Sequence, residues 1–168
     1  MQTLEVDGLI FDFPDNWVVS KYDDWSFYNN RFKCMWNGIK GLDLLAVSPS
    51  HVAWLVEVKD YRTNRRTKAI DLSEEVSRKA FDTLASLLPA KVNGNVQEET
   101  EVCREVLRSV QLRVVLHLEQ PAKHSKLYPR AIDPANVQMK LRQLIKPIDA
   151  HPRVVEKTNM TFLEWSVR

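Results

Sequence analysis

Two apolar segments of the chain carry three ionisable residues, and this combination constrains the fold more than any other feature. Asp43 opens the first segment, and the second segment ends in Glu57-Val58-Lys59. Both segments are otherwise rich in leucine, valine and alanine, which predicts the two strands of a buried hairpin. Charged side chains are seldom buried unless they are paired or bind a metal. The two carboxylates and the lysine are therefore candidate site residues.

The register of the hairpin decides whether these side chains meet. Glu57 and Lys59 lie on one face, because alternate residues of a strand share a face. If Val47 pairs with Val52, Asp43 lies on the opposite face of the sheet. A turn that is one residue longer, or a bulge near Asp43, places Asp43 directly across from Glu57. The sequence leaves both registers open.

In the second register, the two carboxylates predict a divalent metal site. Two like charges about 5 Å apart repel each other, and a cation relieves this repulsion. Carboxylate oxygens favour Mg²⁺ or Mn²⁺ over zinc or copper. We expect Asp43, Glu57 and the backbone carbonyl of Val58 to bind the metal. Lys59 is expected to activate a water molecule or to stabilise developing negative charge.

Composition and length predict one soluble domain over residues 1–168. The chain is 44% hydrophobic and 27% charged, and it has no apolar run near the roughly 20 residues that cross a bilayer. Its first residues lack the pattern of a secretion signal, which favours a cytoplasmic location. With four glycines and no Gly-rich phosphate loop, a nucleotide-binding domain is not expected.

Hydrophobic periodicity and turn residues predict a mixed sheet with helices packed against it. Asp71 is expected to cap the second helix, with Glu74 completing a capping box, and Pro89 is expected to end it. The strand at 112–118 alternates in polarity and is expected to be half-buried, with His117 on its polar face. The predicted helices are 21–35, 71–88, 98–110 and 133–148, and the predicted strands are 4–13, 41–47, 52–60, 112–118, 154–155 and 162–167.

A basic run follows the Glu-x-Lys segment and predicts contact with phosphate groups. It contains Arg62, Arg65, Arg66 and Lys68 within seven residues and has no acidic residue among them. Because the run adjoins the candidate site, we expect it to bind the backbone of a nucleic acid.

The order of these motifs resembles the PD-(D/E)xK nuclease superfamily. Asp43 is followed after thirteen residues by Glu57-Val58-Lys59, and Leu42 stands in place of the proline of the motif. The resemblance covers residues 21–118 and implies a restriction-endonuclease-like α/β fold, with a central mixed sheet flanked by helices. The segment 133–168 is expected to complete that sheet.

What the resemblance implies is Mg²⁺-dependent hydrolysis of phosphodiesters in DNA, or less often in RNA, by Asp43, Glu57 and Lys59. Relatives often carry a further acid on the helix before the Asp strand, where Asp24 or Asp23 stands. Some relatives also place a Gln or Lys on the helix after the Glu-x-Lys strand, where Lys79 and Arg78 are the candidate equivalents. His117 is kept as a further auxiliary candidate. Many nucleases of this fold act as homodimers. The alternative is a catalytically silent module of the same fold that binds nucleic acid or protein.

Overall fold

A computed structural model describes residues 1–123, 125–127 and 130–168. His124, one of the four histidines of the chain, lies outside the described residues. The strands are β1 Gln2–Val6, β2 Leu9–Phe13, β3 Val18–Lys21, β4 Leu44–Val47, β5 Val52–Asp60, β6 Gln111–Glu119, β7 Arg153–Val155 and β8 Ser166–Val167. The α-helices are α1 Ser26–Asn30, α2 Leu72–Asn93, α3 Gln97–Arg108 and α4 Pro134–Ile145.

The central sheet has five strands in the order β3-β4-β5-β6-β7. The pairs β3–β4 and β4–β5 are antiparallel, whereas the pairs β5–β6 and β6–β7 are parallel. A parallel pair needs a crossover connection, and α2 and α3 form the one between β5 and β6. The prediction of a mixed α/β sheet with helices packed against it is confirmed.

The two faces of this sheet are covered by different elements. Leu45 and Leu55 pack in one hydrophobic cluster with side chains of α2, α3 and α4. Leu44 and Val56 pack in a second cluster with the three-stranded sheet β1-β2-β8. Because both faces are covered, β4 is apolar throughout its length, and most positions of β5 and β6 are buried. The prediction that β6 is half-buried is therefore wrong, since its residues from Val114 onward are buried on both faces.

The segment 21–35 does not form the continuous helix that its aromatic spacing predicts. It consists of a 3₁₀ turn at Tyr22–Asp24, the five-residue α1 and a second 3₁₀ turn at Phe32–Cys34. The Glu99 carboxylate of α3 accepts hydrogen bonds from the amides at the start of α1. These long-range bonds fix where the short helix begins, and the local sequence does not reveal them.

Helix α2 continues past Pro89, so the prediction that this residue ends the helix is wrong. Proline removes one backbone hydrogen bond and usually breaks a helix. Here Leu87 and Ala90, on either side of the proline, are buried against the core, and this packing holds the following turn. Asp71 caps the helix as predicted, by accepting a hydrogen bond from the Ser73 amide.

The C-terminal segment divides between the two sheets. β7 pairs with β6 and extends the central sheet as expected, but β8 pairs with β2 in the smaller sheet. The strand predicted at 162–167 is reduced to Ser166–Val167. Within the described part of the chain, no helix combines the length and apolar character that a membrane span requires.

Candidate functional site

The hairpin adopts the register that brings the two carboxylates together. Val47 pairs with Ala53, which is the alternative with the longer turn, and this pairing places Asp43 across from Glu57. The candidate metal ligands therefore lie on the same face of the sheet, beneath α2. The alternative register, in which Val47 pairs with Val52, would have placed Asp43 on the face of the sheet that β1-β2-β8 covers.

The turn that sets this register has three residues, Pro49, Ser50 and His51. His51 has a positive φ of 56°, and its amide donates a hydrogen bond to the carbonyl of Ser48 at 2.9 Å. A turn whose last loop residue is left-handed is the common form of a three-residue hairpin loop. The proline is compatible with such a turn, but it does not by itself exclude a shorter pairing.

Glu57 is the centre of the site. Its side chain is fully buried, and its Oε1 accepts a hydrogen bond from Lys79 Nζ of α2 at 2.6 Å and forms an ion pair with Lys59. Its Oε2 is also buried and has no hydrogen-bond partner among the described residues. Lys79 Nζ lies 3.9 Å from Asp43 Oδ1 and so connects the two carboxylates.

Asp43 is held by the neighbouring strand. Its Oδ2 accepts a hydrogen bond from the Val58 amide at 2.6 Å. The backbone of Val58 therefore lies beside the carboxylates, while its side chain is buried in the hydrophobic cluster on the other face of the sheet. This bond leaves Asp43 Oδ1 facing the lysine of α2.

The electrostatics of the site follow from burial and from the two neighbouring acids. Burial, together with the negative charge of Asp43, raises the pKa of Glu57 to about 7, although Lys79 and Lys59 act in the opposite direction. Burial acts to lower the pKa of Lys59, but the adjacent Glu57 carboxylate outweighs it and raises that pKa. The site therefore has a carboxyl group that changes charge near neutral pH.

The site opens into a cleft of about 610 Å³ beside α2. Asp43, Lys79 and Lys68 line it, so the cluster and the cleft are continuous. Asp23 lines the same cleft, and its Oδ1 is buried without a hydrogen-bond partner in the described ranges. Burial and the charge of Asp43 raise the pKa of Asp23 to about 6. We name this space the lysine cleft.

The auxiliary candidates from the sequence separate into three positions. Lys79 is in the cluster, as described above. Asp24 is exposed and pairs with Lys21, while its neighbour Asp23 lines the cleft. His117 is on the opposite face of the sheet, where it contacts Phe11 edge-on. The structure does not bring His117 to the site, because Val58, which it adjoins on the next strand, also faces away from the carboxylates.

The first two cations of the basic run are engaged by neighbouring chain segments. Arg62 forms an ion pair with Asp60 at 2.8 Å. Arg65 Nε donates to the carbonyl oxygen of Leu127 at 2.8 Å. The Arg65 contact ties the run to the loop after β6, while the Arg62 contact ties it to the end of β5.

The other two cations of the run converge on one glutamate of α2. Glu75 accepts a hydrogen bond from Arg66 at 2.7 Å on one oxygen and pairs with Lys68 on the other. Burial opposes ionisation of Glu75, but the hydrogen bonds from Lys68 and Arg66 lower its pKa to about 2. Of the two cations, only Lys68 also lines the lysine cleft.

The donor set suits a magnesium ion better than a transition metal. In the described part of the chain, no group of three or more His, Cys, Asp or Glu side chains is placed to hold a metal. Mg²⁺ needs only one or two carboxylates, since it retains several water molecules. The unpartnered Oε2 of Glu57 and the nearby Oδ1 of Asp43 fit this requirement.

Sequence reasoning missed the segment that forms the wall of the cleft. Trp36, Asn37 and Lys40 lie between the second 3₁₀ turn and β4 and line the cleft. The signal that was available in the sequence is a tryptophan directly before Asn37-Gly38, a pair typical of loops. Glu75 was missed for a different reason, because its partners lie seven and nine residues away in an irregular loop.

The chain is similar to a cysteine–tRNA ligase from Neisseria meningitidis serogroup A / serotype 4A (strain DSM 15465 / Z2491). The two sequences are 31% identical over 208 residues, and the match covers 99% of this chain but 30% of that protein. No family model matches the chain. No solved structure matches it either.

This similarity contradicts the expected function. The similar protein is named as a tRNA ligase and not as a nuclease, so the prediction of a DNA-cleaving enzyme is wrong. The expectation of DNA as the partner is wrong for the same reason, since the name concerns tRNA. The Asp–Glu-x-Lys pattern is short and therefore not specific to nucleases. The same residue types occur in other sites that bind phosphate groups.

Proposed function

We propose that this chain is a tRNA-binding module that forms part of, or works beside, a protein of the cysteine–tRNA ligase type. The match across nearly the whole chain supports tRNA as the partner. The chain spans about 30% of the ligase it matches, so the proposal concerns tRNA binding rather than aminoacylation.

The site that we assign to this function is the cluster of Asp43, Glu57, Lys59 and Lys79. The observation that carries the assignment is the fully buried Glu57, whose Oε2 has no hydrogen-bond partner among the residues described. Leaving a buried polar atom unpaired costs about 1–3 kcal/mol, and a bound ligand would remove that cost. Asp43 and Glu57 would hold a Mg²⁺ ion, and Mn²⁺ is the alternative. The ion would attract a phosphate group of the RNA.

The lysines complete a site for a phosphate group. Lys79 and Lys68 line the lysine cleft, and Lys79 also contacts both carboxylates. A cation and ammonium groups together offset the negative charge of the carboxylates, which alone would repel RNA. Lys59 keeps Glu57 oriented from the strand side.

The restriction-endonuclease-like fold stays a proposal beside this function. The antiparallel β3-β4-β5 unit, the helical crossover and the parallel β6 support it, as does the position of Asp43 across from Glu57. This proposal concerns the arrangement of the chain and does not depend on nuclease activity.

The function is tested by measuring the binding of fluorescently labelled cysteine tRNA to the whole chain by anisotropy. All variants are compared at one Mg²⁺ concentration, so that the folding of the RNA is constant. We expect Asp43→Asn and Glu57→Gln to weaken binding roughly tenfold or more, the equivalent of one lost charge-assisted contact. Glu74→Gln, on the exposed side of α2, is the matched control and should bind as the wild type does.

The sign of the effect makes this test decisive. If no cation binds, removing a carboxylate takes away a negative charge near the phosphate and should tighten tRNA binding. Tighter or unchanged binding by Asp43→Asn would overturn the cation site. Equal affinity of the wild type for tRNA and for duplex DNA of the same charge would overturn the tRNA assignment. Cleavage of the tRNA during the assay would contradict a purely binding role.

A further inference from the structure

The lysine cleft has a charged part and an aromatic part. Lys79, Lys68 and Asp43 form the charged part beside the carboxylate cluster. Trp36 and Asn37 lie on the wall formed by the segment before β4, and both also line a neighbouring hollow between α2 and α4. The cleft therefore offers groups for a phosphate and groups for a planar ring in one continuous space.

Trp36 has the properties of a stacking platform. Its exposed fraction is 64%, the highest of the five tryptophans. Tryptophan is usually buried for most of its surface, because its ring has a large apolar area. An indole that stays exposed on the wall of a cleft can stack on a nucleobase, and such stacking tolerates any base.

Other polar groups of the cleft are also unused within the protein. The Asn37 side chain forms no hydrogen bond with any residue that the structure describes. Asp23 Oδ1 is buried at the cleft without a hydrogen-bond partner there. An amide can bond the edge of a base, and a carboxyl oxygen can accept from an amino group or a ribose hydroxyl. Lys40 lines the same wall and adds a positive charge.

The size of the cleft limits what it can hold. Its volume of about 610 Å³ lies within the range of roughly 300–1,000 Å³ for pockets that enclose small molecules. One nucleotide fits such a space, whereas a base pair within a duplex would be kept outside by its neighbours. Sequence-tolerant recognition of RNA through stacking requires bases that are unpaired.

We propose that the lysine cleft binds one unpaired ribonucleotide, with its phosphate at Lys79 and Lys68 and its base stacked on Trp36. This inference rests on the proposed function, since it names the part of the RNA that the site takes. It adds that the ligand is a nucleotide at an RNA end or loop, and that the helical stem is bound weakly. Trp36 is then a determinant of specificity for unpaired RNA.

The experiment compares two RNA hairpins whose strands are joined by a non-nucleotide linker, so that neither has an unpaired loop, and that differ only in an unpaired 3′ overhang of a few nucleotides. Affinity is measured by anisotropy for the wild type, Trp36→Ala and Trp36→Phe at constant Mg²⁺. Phe162→Ala is the control, because Phe162 is another exposed aromatic residue but lines a different cleft. Intrinsic fluorescence reports the contact directly, since stacking on the most exposed indole should quench it.

We expect the wild type to prefer the hairpin with the overhang. Trp36→Ala should lower affinity for that hairpin roughly 5- to 150-fold, which is the effect of removing one aromatic stacking partner. Trp36→Phe should retain much of the affinity but lose the quenching, and Phe162→Ala should change neither. Affinity for the blunt hairpin should not depend on residue 36.

Two results would overturn this inference while leaving the proposed function in place. One is equal binding of both hairpins by a wild type that still depends on Asp43 and Glu57. The other is a Trp36→Ala variant that binds the overhang as tightly as the wild type does. In contrast, a wild type that binds neither these hairpins nor cysteine tRNA would overturn the proposed function together with the inference.

Discussion

Two buried glutamates of this protein lie in contrasting surroundings. Glu57 on β5 and Glu75 on α2 are both buried, and each contacts two cationic side chains. The pKa of Glu57 is raised to about 7 by burial and by Asp43, whereas the hydrogen bonds of Glu75 lower its pKa to about 2. Two residues of the same type thus have pKa values shifted in opposite directions.

The difference lies in how completely each carboxylate is paired. Glu75 has a cation on each oxygen, so its charge is compensated. Both cations of Glu57 bind Oε1, Oε2 has no partner in the described part of the chain, and the charge of Asp43 acts to raise the pKa of Glu57. A fully paired carboxylate holds the structure together, while an incompletely paired one can still bind a ligand.

The largest expected effect is the loss of stability on removing the paired carboxylate. Glu75→Gln leaves Arg66, which is largely buried, without its counter-charge and releases the basic run from α2. Removing one partner of a buried ion pair typically costs several kcal/mol, and we expect the free energy of unfolding to fall by about 3 kcal/mol. Urea unfolding at pH 7 measures this change. A loss below about 1 kcal/mol would show that Glu75 is not the anchor of the run.

Glu57→Gln should act in the opposite direction. At pH 8 the wild-type carboxylate is charged and buried next to Asp43, and neutralising it removes an unfavourable charge. Since one pKa unit corresponds to about 1.4 kcal/mol, we expect the free energy of unfolding at pH 8, without divalent cations, to rise by about 1–2 kcal/mol. If Glu57→Gln is destabilised as much as Glu75→Gln, the two sites do not differ and the comparison fails.

The pH dependence separates the same two residues. The folded-state pKa of Glu57 is raised, so its contribution to stability is present below about pH 4.5 and is lost as the pH rises through about 7. The pKa of Glu75 is lowered, so its contribution is present above about pH 4.5 and is lost as the pH falls towards 2. Glu57→Gln should therefore flatten the stability profile between pH 4.5 and 7, and Glu75→Gln should flatten it at lower pH.

The smallest effect is expected at Glu74, which precedes Glu75 on the same helix. Its ion pair with Arg78 lies on the exposed side of α2. Exposed pairs contribute little, so Glu74→Gln should change the free energy of unfolding by no more than about 0.5 kcal/mol. The same urea titration measures it, and a loss near that of Glu75→Gln would mean that position on the helix, and not pairing, governs both results.

The sequence predicted the central part of the site because strand geometry is local. The two-residue repeat of a strand placed Glu57 and Lys59 on one face without further information. Lys79 was a candidate only through the resemblance, since no short-range pattern shows that α2 crosses above β5. His117 illustrates the opposite case. Its alternation with apolar neighbours indicated a polar face, but the small sheet β1-β2-β8 covers that face.

The proposed partner could not be obtained from the residues at all. Asp43, Glu57 and Lys59 suit any ligand that presents phosphate groups, so the pattern alone could not separate DNA from tRNA. The proposal of tRNA rests on the similarity to a cysteine–tRNA ligase. The basic run was equally ambiguous, since Arg62, Arg66 and Lys68 pair with acids of the protein itself.

The sequence by itself determined the order of the elements around the site, the apolar character of the hairpin and the shared face of Glu57 and Lys59. These features depend on residue type and on spacing within one strand. Only the tertiary structure decided that Asp43 joins them, because the three-residue turn ending at His51 sets the register. It also decided which glutamate is fully paired, since the cations that surround a buried carboxylate come from segments distant in the chain.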